Sequence, residues 1–241
     1  MESLSKNKIK LVRSLQRKKF RDEYGMFVLE GRKSVLEAID QHPELIEFVI
    51  SSEESKPLHP EHYSLPESEL KKISGLTSGT GWLAVLKKPE IETTDSDFIV
   101  VLDGVQDPGN LGTIIRTCDW FGINRIVCSK ESVDCFNEKT VQATMGSIFR
   151  VEVEYTDLKE YLTSFDGPIY GALMEGENVF ESDLQTKGAL VLGNEGNGVR
   201  PEIEKLITHP LHITGKGKAE SLNVAIAGGI LIAELKGRSL G

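Results

Sequence analysis

Gly188-Ala189-Leu190-Val191-Leu192, then Gly193-Asn194-Glu195-Gly196-Asn197-Gly198, then Arg200-Pro201-Glu202, is the stretch whose reading decides the fold. Within it Ala189–Leu192, four apolar residues in a row, read as a strand buried on both faces, as strands of a parallel sheet are. The glycines that follow permit positive φ and close approach of backbone to a ligand, and proline suits the first turn of a helix. Strand, glycine loop and helix make one βα step. Short strands at Phe98–Leu102, Arg125–Cys128 and Ile169–Ala172 alternate with helical patterns, so the region from about Ser96 to the end reads as an α/β domain. The glycines run G-x-x-G-x-G, whereas a dinucleotide-binding turn runs G-x-G-x-x-G. A nicotinamide-dependent oxidoreductase on a doubly wound sheet is therefore disfavoured.

Two more junctions put polar residues at the head of an apolar helix. Asp107-Pro108-Gly109-Asn110 has the composition of a turn, and Leu111, Ile114, Ile115 and Cys118 then trace a core-facing stripe. Arg116 lies off that stripe, free to face a ligand, a partner subunit or a phosphate; Asn110, taken alone, reads as a helix cap. In the third junction Gly215-Lys216-Gly217-Lys218 leads to Glu220-Ser221-Leu222-Asn223, and the ten residues Val224–Ala233 are all apolar or glycine. That helix is expected to be almost wholly buried, with Ser221 suited to cap it. Asn223 at its head needs hydrogen-bond partners. Convergence of the three junctions would make a pocket.

The first part of the chain reads differently. Residues 4–19 have the period of a helix, Met26–Glu30 is a short apolar run closed by Gly31, and Ile46–Ile50 and Trp82–Leu86 read as strands with helical patterns between, a small α/β unit over residues 1–88. Lys87–Asp97 is polar, aperiodic and interrupted by proline, and reads as a linker to the domain at 96–241. Lys6, Lys8, Lys10, Arg13, Arg17, Lys18, Lys19 and Arg21 crowd residues 6–21 with no acid among them. Taking those eight charges from the net −9 leaves −17 on the rest, so a local contact with nucleic acid is expected from Lys10, Arg13, Arg17, Lys18, Lys19 and Arg21. Cys118, Cys128 and Cys135 lack the paired spacing of a metal or redox site, so reduced thiols in a cytosol and no metal are expected. No apolar run approaches the about 20 residues of a membrane helix, and the charged amino terminus suggests no export signal.

Taken together, DPGNLGTIIRT, LVLGNEGNGVRPE and ESLNVAIAGGILIAEL resemble the three ordered motifs of the SpoU (TrmH-like) RNA ribose methyltransferases of the SPOUT superfamily, over about 140 residues. Gln142-Ala143-Thr144-Met145-Gly146-Ser147 is similar to the family's segment between the first two motifs. The amino-terminal part, with Lys19-Phe20-Arg21 and Phe27-Val28-Leu29-Glu30-Gly31, resembles its ribosomal-protein-like accessory RNA-binding domain. The resemblance implies a carboxyl-terminal domain threaded into a trefoil knot, S-adenosylmethionine as cofactor, a homodimer through the knotted domain, and methyl transfer to a ribose 2′-hydroxyl. It implies cofactor contacts at Leu192, Gly193, Ile213, Ser221 and Leu222, with Glu195, Ser221 and Asn223 close to the reacting groups and Asn110 and Arg116 at the RNA ribose. A guanidinium yields its proton too reluctantly for a base, so Arg116 is expected to act as a cation. Ribosomal RNA is favoured over transfer RNA because the accessory domain resembles those of members acting on large ribosomal RNA. A catalytically silent RNA-binding protein of the same fold is the competing expectation.

Overall fold

The computed structural model describes residues 4–52, 57–76, 81–90 and 96–237. It divides into two compact units, Met1–Glu90 with Asp134–Gly146 and Ile91–Val133 with Ser147–Gly241. Of the expected linker, residues 91–95 lie outside the described residues.

In the first unit α1 (Lys6–Leu15), α2 (Lys18–Tyr24), β1 (Met26–Glu30), α3 (Arg32–Gln41), β2 (Ile46–Ser51), β3 (His62–Ser64), α4 (Glu67–Leu70) and β4 (Trp82–Lys87) follow in order. The sheet runs β1-β4-β2-β3, antiparallel except for β2 with β3. Val12 and Leu15 of α1 pack on Val28, Phe48, Ile50, Leu83 and Val85 of its face. The single helix expected over 4–19 is two, because Arg17 is extended (φ −103°, ψ 130°) between α1 and α2. That break turns Arg21 inward, where its guanidinium donates to the Leu15 carbonyl at the end of α1 at 2.8 Å.

The second unit carries β5 (Phe98–Leu102), α5 (Pro108–Trp120), β6 (Arg125–Ser129), β7 (Glu152–Thr156), α7 (Leu158–Thr163), β8 (Ile169–Asn178), β9 (Gly188–Leu192), α8 (Pro201–Glu204), β10 (His209–His212) and α9 (Val224–Lys236), while α6 (Glu138–Thr144) belongs to the first unit. The simple division at residues 88 and 96 thus misses one excursion of the chain. Its reason is local: α6 packs its buried Val141 and Thr140 there, and Phe136 meets Phe27 at 5.0 Å between ring centroids. The six strands are ordered β10-β8-β9-β5-β6-β7 and every pair is parallel. From β5 the chain moves outward through β6 and β7, then returns to the other side and inserts β9 beside β5. That reversal is the switch point at which parallel sheets place ligands, beyond the carboxyl ends of the strands.

The helix after Asn223 is less buried than its composition suggests. Val224, Ala225, Gly228, Leu231, Ile232 and Leu235 of α9 are buried, but Ile226 is 55% exposed and Gly229, Ile230 and Ala233 only half-buried. Spaced i, i+3, i+4, i+7, these four form a stripe that the described residues leave open. Gly228 lets the Leu192 side chain approach, its Cδ1 lying 2.7 Å from where a β-carbon would stand.

Candidate active site

The two loops flanking the switch point, 103–110 after β5 and 193–200 after β9, are joined residue by residue. The Asn194 amide donates to the Gly104 carbonyl at 2.7 Å and its oxygen accepts the Gly196 and Asn197 amides at 2.9 and 3.0 Å. The Glu195 carboxylate accepts from Asn110 Nδ2 at 3.0 Å and from the backbone amides of Asp107 and Gln106 at 3.3 and 3.4 Å. Partial burial pushes this carboxyl up, but the Asn110 and backbone N–H donors outweigh it and hold it below the ordinary glutamate value. Gly193 is required by the turn, since a β-carbon there would collide with the backbone of Gly198 and Val199.

The third junction joins through Asn223. Its Oδ1 accepts the Ala225 and Ile226 amides at 2.9 and 3.3 Å, capping α9, while its Nδ2 donates to Asn110 Oδ1 at 2.9 Å. Glu195, Asn110, Asn223 and the head of α9 therefore form one chain of hydrogen bonds across all three motifs, and each bond dictates which end of the next amide is oxygen. Each Asn Nδ2 carries a second N–H that no bond in this chain consumes. The capping roles expected of single residues move accordingly: Asp107 caps α5 by accepting the Asn110 amide at 2.8 Å, and Asn223 caps α9 while Ser221 stands exposed two residues earlier. Glu195 orders Asn110 and backbone amides.

Arg116 is exposed on α5, and among the described residues no hydrogen bond or ion pair holds it. Ile213 is half-buried and Leu222 is 48% exposed, apolar surface on either side of an exposed glycine and lysine loop. Leu192 is buried, and its carbonyl accepts the Asp103 amide at 2.8 Å, so its side chain serves the core. Sequence reasoning missed Asp103, Asn194 and Arg200 as site elements. An aspartate directly after five buried strand residues is the signal that could have found the first.

Of the cations in residues 6–21, Lys10, Arg13, Arg17 and Lys19 are exposed, and Lys6, Lys10 and Arg13 lie at i, i+4, i+7 on α1. Lys18 is exposed and bonded to Asp22 at 2.6 Å, while Lys8 is engaged by Glu61 and by the Tyr63 hydroxyl. Arg21 is a correction to the expected RNA surface: it is 3% exposed and pairs with buried Asp134 at 2.6 Å.

Residues 97–233 match the SpoU rRNA Methylase family, and residues 6–84 match the MRM3-like substrate binding domain. The chain belongs to the SpoU rRNA methylase family. A relative in Bacillus subtilis, named 23S rRNA (guanosine(2553)-2′-O)-methyltransferase RlmP, is 31% identical, over 98% of this chain and 99% of that protein. A solved TrmH-family RNA methyltransferase structure from Porphyromonas gingivalis matches with TM-score 0.83 and 36% identity, covering 98% of this chain and 100% of that one. The S-adenosylmethionine-bound rRNA methyltransferase from Sinorhizobium meliloti matches with TM-score 0.82 and 27% identity, over 100% and 98% of the two chains. The α/β fold with a parallel sheet, behind a small amino-terminal domain, is that of the family. No helix among the described residues is long and apolar enough to cross a membrane.

Proposed function

We propose that this SpoU-family chain transfers a methyl group from S-adenosylmethionine to a ribose 2′-hydroxyl of ribosomal RNA. The observation that carries the reading is the Glu195–Asn110–Asn223 chain, which brings the polar groups of three separate motifs together at the switch point of the sheet. The cofactor fits what is present: the backbone at Gly198 is open, with nothing within 4 Å of where a β-carbon would stand, and Ile213 and Leu222 offer apolar surface for a ligand to cover. Gly193, Ile213, Ser221, Leu222 and the backbone at Leu192 would hold it. Bound there, it would supply an electrophilic methyl on a sulfonium to the ribose oxygen, the S–C bond exchanged for an O–C bond, a neutral thioether left behind and the hydroxyl proton lost to solvent.

The chain's own residues orient and stabilise. Glu195, held ionised by three donors, turns the Asn110 amide so that its spare N–H and that of Asn223 are available to the oxygen that gains charge. Arg116 serves as a cation for that oxygen or the adjoining phosphate. Lys10, Arg13, Arg17, Lys18 and Lys19 grip RNA backbone with the amino-terminal unit, for which the substrate-binding-domain match at 6–84 speaks. Ribosomal rather than transfer RNA is supported by the relative matched over nearly its full length, itself named for 23S rRNA. The Bacillus subtilis relative, matched over nearly its full length, favours the cytoplasm.

A homodimer through a knotted domain completes the reading. α5 and α9 lie side by side in parallel, joined at their heads by Asn110 and Asn223 and meeting at their tails at Phe121 and Gly237. α5 carries Trp120, 83% exposed, and α9 the open stripe from Ile226 to Ala233, apolar surface suited to a second copy. Analytical ultracentrifugation is expected to show a dimer, and Ile230→Glu to dissociate it; a wild-type monomer at micromolar concentration would sink this part. The activity is tested by mapping 2′-O-methylation in total RNA from cells with and without the protein. One ribosomal position should lose its mark; no lost mark, with no calorimetric binding of S-adenosylmethionine, would favour the silent alternative.

A further inference from the structure

We infer that Asp103 and Arg200 form a positioning pair for the methyl transfer, holding the 193–199 loop so that Glu195 meets Asn110. The inference rests on the reading of the site given above. Asp103 follows the last residue of β5, and its side chain is 0% exposed. A carboxylate withdrawn from water is costly unless its lone pairs are filled. Both its oxygens are committed to one residue of the other loop: Oδ1 accepts from Arg200 Nε at 2.7 Å and Oδ2 from the Arg200 backbone amide at 2.8 Å. The second bond grips main chain, and so fixes where the loop ends and α8 begins.

Asn194 does the same at the other end, bonded to Gly104 and closing the loop through paired backbone bonds with Gly198 at 2.9 and 3.0 Å. Between these two anchors stands Glu195, whose bonds to the Gln106 and Asp107 amides, at 3.4 and 3.3 Å, are too long to define its place alone. The short bonds at the loop's ends place it. Arg200 is not itself an RNA grip: besides Asp103, Glu131 and Glu202 lie 3.8 and 3.7 Å from its Nη1, and three carboxylates around one guanidinium repel a phosphate.

A double-mutant cycle on the full-length protein separates positioning from general destabilisation. Arg200→Gln is expected to lower kcat by up to about 100-fold, the cost of misplacing a site by an ångström, with little change in KM for RNA. Added to Glu195→Gln it should lower kcat by no more than about a further twofold, the tolerance of ordinary additivity. Arg200→Lys, which cannot reproduce the Nε bond, should behave like Arg200→Gln. Losses that multiply in the double variant, or an effect confined to a rise in the KM for RNA, would overturn the pair's role. Should Arg200→Gln fail to fold, the cycle is run with the isosteric Asp103→Asn and read the same way. If unaltered protein methylates no RNA, the function reading falls, and this inference with it.

Discussion

Arg21 and Arg116 are both helix arginines, one in each unit, and the fold uses them in opposite ways. Arg21 is 3% exposed, pairs with Asp134 at 2.6 Å and donates to the Leu15 carbonyl. Arg116 stands on the outer side of α5 with nothing among the described residues to neutralise it. The same contrast repeats within each unit. In the first, Lys8 is taken by Glu61 and Lys18 by Asp22, while Lys10, Arg13, Arg17 and Lys19 stay exposed. In the second, Arg125 pairs with Glu154, Arg150 with Asp119 and Arg200 with Asp103. A cation becomes a ligand group where the chain supplies no carboxylate to consume it, and sequence alone does not say where that is.

Breaking the buried pair should have the largest effect on the molecule. Arg21→Met leaves the Asp134 carboxylate unpaired among buried groups, and is expected to lower unfolding stability by about 3–5 kcal/mol in urea titration. Adding Asp134→Leu should recover much of that loss, because the uncompensated charge is then gone. A loss under about 1 kcal/mol for Arg21→Met would mean that Arg21 is as dispensable as a surface cation and would end the contrast.

The converse holds for Arg116. Arg116→Ala should leave stability within about 0.5 kcal/mol of wild type, as surface substitutions usually do. Its kcat should fall about 100- to 1000-fold, the loss that follows removal of one group aimed at a developing oxyanion. Arg116→Lys sharpens the assignment: activity restored to the wild-type level would show that charge suffices and that the planar guanidinium geometry is dispensable. Equal kcat for wild type and Arg116→Ala would remove Arg116 from the site.

How far the sequence foretold these uses depended on the range of the interaction. The buried strand Phe98–Leu102 was legible, and so was Gly188–Leu192 from Ala189 onward, because an apolar run with no polar alternation leaves few other solutions. The stripe Leu111, Ile114, Ile115, Cys118 was legible too, and all four are buried. Hidden were features that depend on partners far along the chain. Arg21 meets Asp134 113 residues away, and that pairing, with the break at Arg17, splits what looked like one helix. Strand β10 pairs with β8 only through a register break, Pro210 opposite Gly171 and Leu211 opposite Glu177, so its short mixed sequence carries no alternation to read. At the site, ordered motifs gave Asn110, Glu195 and Asn223, but the bonds that orient one against the next span 85 and 113 residues.

Glu138 gives the subtlest test of the same contrast, since its segment lies in sequence between the first two motifs yet belongs to the first unit with Arg21. Its carboxyl abuts Gly75, where a β-carbon would collide with it, and its Oε1 is buried with no hydrogen-bond partner among the described residues. Burial pushes its pKa up to about 7; the nearby Glu30 charge pushes the same way, and Arg21 opposes both. A carboxyl raised above its unfolded value of 4.5 binds a proton in the native state that the unfolded chain has released. Its contribution is therefore fully present below pH 4.5 and is lost as pH rises through about 7. Glu138→Gln keeps the shape and removes the charge, so it should raise the melting temperature at pH 8 and change it less at pH 5. In Arg21→Met, which deletes the one cation opposing the shift, the benefit of Glu138→Gln at pH 8 should grow. An equal effect of Glu138→Gln at both pH values would mean that this carboxyl keeps one charge state from pH 5 to pH 8, and would remove it as a source of pH dependence.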